Sequence, residues 1–184
     1  MSRFTSLKRT ALSAATVALA ATGAVAVGPG AAHASSNFTV RLAPNSARTL
    51  FMDVDGSSTA SAAHVVQWTL RGDSQIWTFT TIGANYEIVN KHSGKCLETD
   101  GVSGDQLFQA PCTGNPGELW NYWTLPPGTL PAGAGSTFVA GDFIYSVTSG
   151  LYVDVERSST STGAAIIGYP FTRGVNQYFE MLNA

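Results

Sequence analysis

The residues that could carry chemistry in this chain are three acids that recur at equivalent places. Asp53, Glu98 and Asp154 each hold the fourth position of a six-residue pattern: two apolar residues precede the acid, and a β-forming residue and a second acid follow it. A glycosidase needs two carboxylates at one cleft, whereas acids at equivalent repeat positions do not converge. The sequence also has no Gly-x-Ser-x-Gly elbow and no His–Cys arrangement. We therefore expect the protein not to be an enzyme.

The acids belong to a threefold internal repeat, which the spacing of the pattern reveals. Short alternating segments separated by turn residues, with no convincing amphipathic helix after residue 34, predict an all-β domain. The predicted strands are 38–42, 50–55, 65–70 and 75–77, then 86–89, 95–100, 106–110 and 118–120, then 143–147, 151–156, 165–169 and 177–179. One four-stranded unit cannot bury its apolar face alone, whereas three can share a core. The repeats therefore predict a β-trefoil with Trp77, Trp120 and Phe179 in that core.

A closing motif ends each repeat. It reads Gln75-Ile76-Trp77, then degenerates to Glu118-Leu119-Trp120 and Gln177-Tyr178-Phe179. With this motif the chain resembles the ricin-B-type (R-type) lectins and family-13-like carbohydrate-binding modules, over about residues 38–182. The resemblance implies a β-trefoil that binds sugar at up to three shallow sites, one per repeat, and no cofactor is predicted.

Sites in that family combine an aspartate on the second strand, an aromatic residue about 15 positions later, and an Asn-Gln pair at the closing motif. The carboxylate accepts hydrogen bonds from sugar hydroxyls, the ring packs on the C–H face of a pyranose, and an amide both donates and accepts. The third repeat fits best, because Asp154 is followed 15 residues later by Tyr169 and then by Asn176 and Gln177.

The other two repeats fit less well. In the first, Asp53 precedes Trp68 by 15 residues and Gln75 is present, but Ser74 replaces the asparagine. In the second, Glu98 replaces the aspartate, and Ala110 and Glu118 replace the aromatic residue and the glutamine; we expect this repeat to support stability, and the first and third to bind.

Structural roles could also explain these residues. Asp53 and Asp154 could be strand-end acids bonded to backbone amides, and Trp68 and Tyr169 could be core residues. Asn176 could be a turn former. The tripeptide at 71–73 spells an integrin-type motif, which turn chemistry alone explains.

The chain has two cysteines, Cys96 and Cys112. In an oxidising compartment an isolated pair most simply forms one disulfide. Metal binding is the alternative, but His64 and His92 do not stand at ligand spacing from the thiols. No metal site is therefore predicted.

The first 34 residues have the form of an export signal. Lys8 and Arg9 precede a small, apolar run, and Ala32-His33-Ala34 supplies a small-x-small cleavage pattern. A transmembrane anchor is the alternative, but the run is short and is broken at 28–30. We expect cleavage after Ala34, a secreted, extracellular protein with no membrane contact, and a mature domain at 35–184 with repeats at about 37–83, 84–125 and 138–184.

Removal of the signal would make the chain more acidic than its full-length net charge of −2. Three of its ten basic residues lie in 1–34 with no acid, so seven basic residues remain against twelve acidic residues, a net charge of −5. These charges are scattered, which argues against nucleic acid as a partner.

The sequence thus predicts a non-catalytic lectin-like protein that binds galactose- or xylan-type carbohydrate or polysaccharide. The alternative is a trefoil interaction protein, such as a protease inhibitor, that acts through the Pro- and Gly-rich loop at 126–135. An exported protein partner stays open.

Overall fold

The computed structural model describes residues 36–125, Thr129 and residues 141–184. These residues form twelve strands and no α-helix. The strands are β1 (Phe38–Pro44), β2 (Leu50–Val54), β3 (Ala63–Thr69), β4 (Trp77–Ile82), β5 (Asn85–Asn90), β6 (Cys96–Glu98), β7 (Phe108–Ala110), β8 (Trp120–Thr124), β9 (Asp142–Ser146), β10 (Tyr152–Val155), β11 (Ile166–Tyr169) and β12 (Tyr178–Asn183). Each of the twelve segments predicted from the sequence overlaps or adjoins one of them.

Six of the strands close a barrel. Strand β1 pairs with β4 and β12, β5 pairs with β4 and β8, and β9 pairs with β8 and β12, all antiparallel. The other six form the hairpins β2–β3, β6–β7 and β10–β11. The hairpins meet one another where β3 pairs with β7, and where Ala165 and Ile167 bridge to Val66 and Gln106. A six-stranded barrel with three such hairpins is a β-trefoil, so the predicted fold class is confirmed.

The closing aromatic residues fill the centre of the barrel core. Trp77, Trp120 and Phe179 are 0%, 1% and 0% exposed. The indole Nε1 of Trp77 donates to the carbonyl oxygen of Met52 at 3.0 Å, and that of Trp120 donates to Leu97 at 2.9 Å. Each indole thereby ties the barrel to the second strand of its own repeat. Phe179 has no N–H group, so the third repeat relies on packing at this point.

A short 3-10 turn precedes each closing strand, at Asp73–Gln75, Pro116–Glu118 and Val175–Gln177. The last residue of each turn is fully buried and bonds within its own repeat: Gln75 to Thr69, Glu118 to Thr113, and Gln177 to Pro170. The turn thus fixes the chain segment that precedes it, which in the first and third repeats borders the predicted site.

The predicted disulfide joins Cys96 to Cys112, with an S–S distance of 2.05 Å. Closing a loop of this length stabilises a fold by roughly 3 kcal/mol in the chain-entropy description. Tyr152 and Phe171 hold the equivalent positions in the third repeat, where their rings stack with centroids 4.6 Å apart. Aromatic stacking there takes the place of the bridge, whereas Leu70 in the first repeat is 61% exposed.

Several predictions concern residues outside the described ranges: the export signal at 1–34, its cleavage site, and the loop at 126–135 apart from Thr129. No helix in the described part of the chain is long and apolar enough to cross a membrane.

Candidate functional site

Strand register places the two main candidates of the third repeat side by side. Asp154 on β10 lies opposite Ile167 on β11, and Tyr169 lies opposite Tyr152. The carboxyl group and the ring are therefore two positions apart along neighbouring strands. The same two-position offset relates Asp53 to Trp68 in the first hairpin and Glu98 to Ala110 in the second. The equivalences predicted from spacing thus hold in the fold.

An open pocket of about 420 Å³ lies on the third repeat. Asp154 and Asn176, which are 3% and 9% exposed, contribute to its wall, and Tyr169, which is 42% exposed, lies at its edge. The remaining wall includes residues that the sequence reasoning did not identify: Gly104, Glu156, Arg157, Ser158, Ile167 and Thr172. The pocket combines a carboxyl oxygen, an amide and an aromatic ring, which together suit a polyhydroxylated ligand.

The carboxyl group of Asp154 is held by an amide and is largely removed from water. Nδ2 of Asn176 donates to Oδ1 of Asp154 at 2.7 Å and to the carbonyl oxygen of Val155 at 3.2 Å. Burial raises the pKa of Asp154 to about 6, and hydrogen bonds from Gln177 and Asn176 act in the opposite direction. The acceptor strength of this group therefore changes in a mildly acidic range of pH.

Gln177 lies behind the pocket wall. It is fully buried, its Oε1 accepts from the backbone nitrogen and the hydroxyl of Thr172 at 2.8 and 2.9 Å, and its Nε2 donates to the carbonyl oxygen of Pro170 at 2.8 Å. Both ends of the amide thus hold the loop that carries Thr172. The predicted sugar contact at Gln177 stays a prediction, and its visible role is to position that loop.

Two residues of the pocket wall have left-handed backbone conformations. Arg157 and Ser158 have φ of 54° and 52°. Such values in residues other than glycine cost free energy and often mark functional sites. The side chain of Arg157 is 89% exposed, with Nε 3.5 Å from Oε1 of Glu156. The equivalent position in the first repeat is Gly56, with φ of 61°, so the arginine side chain is particular to the third repeat.

One wall of this pocket comes from the second repeat, whose loop at Gly104 approaches the third repeat at Gly168. Gln67 and Gln109 occupy equivalent strand positions, and each donates through Nε2 to two carbonyl groups of a neighbouring hairpin loop. The third repeat has Gly168 there, and a Cβ at Gly168 would lie 3.3 Å from Cδ1 of Leu151.

The loop that approaches Gly168 belongs to the second hairpin. Its backbone nitrogen at Gly104 donates to the carbonyl oxygen of Gly168 at 2.8 Å, and the nitrogen of Gly168 donates to Asp105 at 3.0 Å. Glu98 pairs with Phe108, ten residues later, whereas Asp154 pairs with Ile167, thirteen residues later. This shorter spacing is the signal in the sequence that could have pointed to Gly104.

The first repeat presents the equivalent groups differently. Asp53 is fully buried, and its Oδ2 accepts from Nε of Arg71 at 2.5 Å and from Nε2 of Gln75 at 2.9 Å. The guanidinium carbon of Arg71 lies 5.1 Å from the ring centroid of Trp68. Ser74, which replaces the asparagine, is buried, and its hydroxyl bonds to that of Ser57 at 3.0 Å. Binding by Asp53, Trp68 and Gln75 stays a prediction, and Arg71 is the neighbour that the sequence reasoning overlooked.

The second repeat has no aromatic residue at the site position, where Ala110 stands. Oε2 of Glu118 accepts from three successive backbone nitrogens, those of Thr113, Gly114 and Asn115, at 2.8–3.1 Å. Burial and the nearby Glu118 raise the pKa of Glu98. These contacts brace the disulfide loop, which agrees with a stabilising role.

Two minor motifs also have a definite place. In the tripeptide at 71–73, Arg71 is paired with Asp53, and Oδ1 of Asp73 lies 3.3 Å from Nζ of Lys91. Among the described residues, Glu87, Cys96 and Cys112 form the one group with metal-ligand spacing. Because both sulfurs are in the disulfide, they offer no thiolate to a metal ion.

Comparison with known families identifies the architecture. Residues 31–106 and 73–169 match the model of the ricin-type beta-trefoil lectin domain-like family. The chain belongs to this family. The family that the sequence resembles is therefore confirmed, and its lectin fold points to carbohydrate binding.

Solved structures agree with this membership. The designed threefold-symmetric protein ThreeFoil is 27% identical with a TM-score of 0.66, and the match covers 79% of this chain and 99% of that one. An exo-beta-1,3-galactanase from Clostridium thermocellum is 25% identical with a TM-score of 0.68, over 82% of this chain and 31% of the enzyme. The C-half of an earthworm R-type lectin, solved with GalNAc, shares the fold at 17% identity and a TM-score of 0.61, over 80% and 99%. No curated protein matches the sequence of this lectin-family chain.

Proposed function

We propose that this lectin-family protein is a secreted, non-catalytic binder of galactose- or xylan-type carbohydrate, and that its ligand occupies the third-repeat pocket. The observation that carries the proposal is the pocket that combines the buried Asp154 carboxyl group with the exposed ring of Tyr169. The galactanase and the earthworm lectin, each named with a galactose-type sugar, support the choice of sugar class.

Each residue has a distinct task in this proposal. Oδ2 of Asp154 accepts hydrogen bonds from sugar hydroxyl groups, while Nδ2 of Asn176 donates to Oδ1. The ring of Tyr169 packs against the apolar face of the pyranose. Gln177 holds the loop that presents Thr172. Because a shallow polar pocket gains little free energy per contact, the dissociation constant for one sugar is about millimolar.

Secretion rests on the sequence pattern of residues 1–34 and on the disulfide, which is typical of oxidising compartments. Expression of the full-length chain in a bacterial or eukaryotic host with an export pathway tests this part. The mature protein should be found in the medium with Ser35 at its N-terminus. Retention in the cytoplasm with Met1 intact would contradict it.

A glycan array tests the binding. The protein from residue 35 onward should bind galactose- or xylose-containing glycans, and an otherwise identical Asp154→Asn variant should lose that signal. Glu98→Gln is the matched control, because Glu98 holds the equivalent position in a repeat that has Ala110 at the position of Tyr169. A wild-type array without signal above background, or an undiminished signal from Asp154→Asn, would refute the proposal.

A further inference from the structure

Arg71 lies where the other repeats have threonine. Its backbone nitrogen donates to Oε1 of Gln75 at 2.8 Å, as the nitrogen of Thr172 donates to Oε1 of Gln177 at 2.8 Å. Thr113 in the second repeat also bonds to its own closing residue, Glu118. The main chain is therefore equivalent in all three repeats, and the difference lies in the side chain.

The side chain of Arg71 contacts both groups that correspond to the proposed sugar contacts. Its Nε bonds to the carboxylate of Asp53, the equivalent of Asp154, and its guanidinium lies against Trp68, the equivalent of Tyr169. A guanidinium offers donors to a carboxylate and a flat face to an aromatic ring. These are the same two interactions that a sugar would make.

The chemistry of the site keeps Arg71 in place. Ser74 stands where the third repeat has Asn176, and its hydroxyl is bonded to Ser57, so this position supplies no amide donor to Asp53. Oδ1 of Asp53 accepts no hydrogen bond from any residue in the described ranges. A fully buried carboxylate with so few donors depends on its charged partner. A neutral sugar that displaced Arg71 would separate this ion pair.

We propose that Arg71 acts as an internal ligand that closes the first-repeat site, so that, of the three equivalent positions in the described residues, the one open to sugar is that of the third repeat. This proposal rests on the proposed function for the existence of the third-repeat site. It replaces the expectation that the first and third repeats both bind. Arg71 is thus a specificity-determining residue that excludes neutral sugars from an otherwise equivalent position.

The test is a residue-resolved NMR titration of the protein from residue 35 onward, with lactose and xylotriose as separate probes. The variant is Arg71→Thr combined with Ser74→Asn, which gives the first repeat the residues of the third and supplies an amide donor for Asp53. In the wild type, amide shifts should move at Gly104, Tyr169 and Thr172 and stay fixed at Trp68 and residue 74. In the double variant, the second set should move as well, with a similar dissociation constant.

A third protein separates the two sites. Adding Asp154→Asn to the double variant should remove the shifts of the third repeat and leave those around Trp68. If the double variant and this derivative keep the wild-type dispersion of amide signals, the fold is intact and the comparison is valid. If the double variant does not fold, Ser74→Asn combined with Arg71→Lys provides the milder opening of the site, and shifts at Trp68 are again expected.

The outcomes distinguish the two proposals. Wild-type shifts at Trp68 that saturate with sugar would overturn closure by Arg71 and leave the third site unaffected. Unchanged Trp68 signals in a folded double variant would also overturn it. Absence of shifts at Gly104 and Tyr169, with new shifts at Trp68 in the double variant, would instead contradict the proposed function and support the role of Arg71.

Discussion

The first and third repeats share strand register and backbone, yet they present their acid differently. Asp154 lies in the wall of an open pocket with an amide as its partner, whereas Asp53 is covered by the guanidinium of Arg71. Two substitutions account for the difference: Ser74 for Asn176, and Arg71 for Thr172. A buried carboxylate needs donors. In the first repeat, where Ser74 stands in place of the asparagine, Arg71 donates to Asp53 together with Gln75. The two repeats thus have the same backbone, and the hydrogen-bond partner of the acid decides whether the site beside it is open or covered.

The largest effect should follow from removing the cation in the first repeat. Arg71→Ala leaves the carboxylate of Asp53 buried without its charged partner, which should lower the free energy of unfolding by about 3 kcal/mol at pH 7. Urea denaturation measures this loss. Arg157→Ala is the matched control, because its side chain is exposed, and it should change stability by less than about 0.5 kcal/mol. Equal losses from the two variants would remove the distinction between the repeats.

Removing the charge of Asp154 in the third repeat should have the opposite effect on stability. Burial raises the pKa of Asp154 from 3.8 to about 6, so its ionised form destabilises the fold, and stability falls as the pH rises from about 4 through 6. Asp154→Asn should remove this dependence and stabilise the protein at pH 7 by on the order of 1–3 kcal/mol. Thermal unfolding at pH 4, 5.5 and 7 provides the measurement. A variant less stable than the wild type at pH 7 would contradict the assigned cause.

Tyr169 and Trp68 should differ in how much each contributes to the affinity for sugar. Tyr169→Ala should weaken sugar binding about tenfold, since an aromatic contact contributes roughly 1–1.5 kcal/mol. Trp68→Ala should leave the affinity unchanged, because Arg71 already covers its ring. Isothermal titration calorimetry with lactose and with xylotriose compares the two. A tenfold loss in Trp68→Ala would show that the first repeat binds.

The smallest effect concerns the left-handed backbone at the rim of the pocket. Arg157 has φ of 54° where the first repeat has Gly56. Arg157→Gly should therefore relieve strain and raise the free energy of unfolding by about 0.5–1 kcal/mol. Gly56→Ala is the reciprocal change and should destabilise by a similar amount. Chemical denaturation of both variants checks this, and a loss of stability in Arg157→Gly would rule out strain at this residue.

The sequence predicted the fold well because the fold is repeated. Three acids at similar distances from Trp77, Trp120 and Phe179 identified the repeats, and the repeats predicted the strands and the core. The disulfide was predicted separately, from the isolated pair of cysteines. The predicted equivalence of Asp53 and Trp68 to Asp154 and Tyr169 was likewise correct, because the acid and the aromatic residue have the same offset in the antiparallel register of both hairpins.

The sequence could not predict which groups contact each candidate side chain. Spacing indicates that Arg71 follows Trp68 by three residues, but not that its guanidinium turns back onto Asp53. The shortened loop of the second repeat is visible in the sequence, but its spacing alone does not show that Gly104 borders the third site, because that contact also depends on Gly168 and on how the hairpins meet. Contacts between repeats arise only when the barrel closes.

The most direct test of the central claim is the affinity of matched acid variants for lactose and xylotriose at pH 7.5, measured by calorimetry. Asp154→Asn should bind at least tenfold more weakly than the wild type, because the amide supplies only one uncharged acceptor oxygen in place of the carboxylate. Glu98→Gln, at the equivalent position of the second repeat, should bind like the wild type. Wild-type affinity in a folded Asp154→Asn variant would show that the third-repeat pocket is not the sugar site.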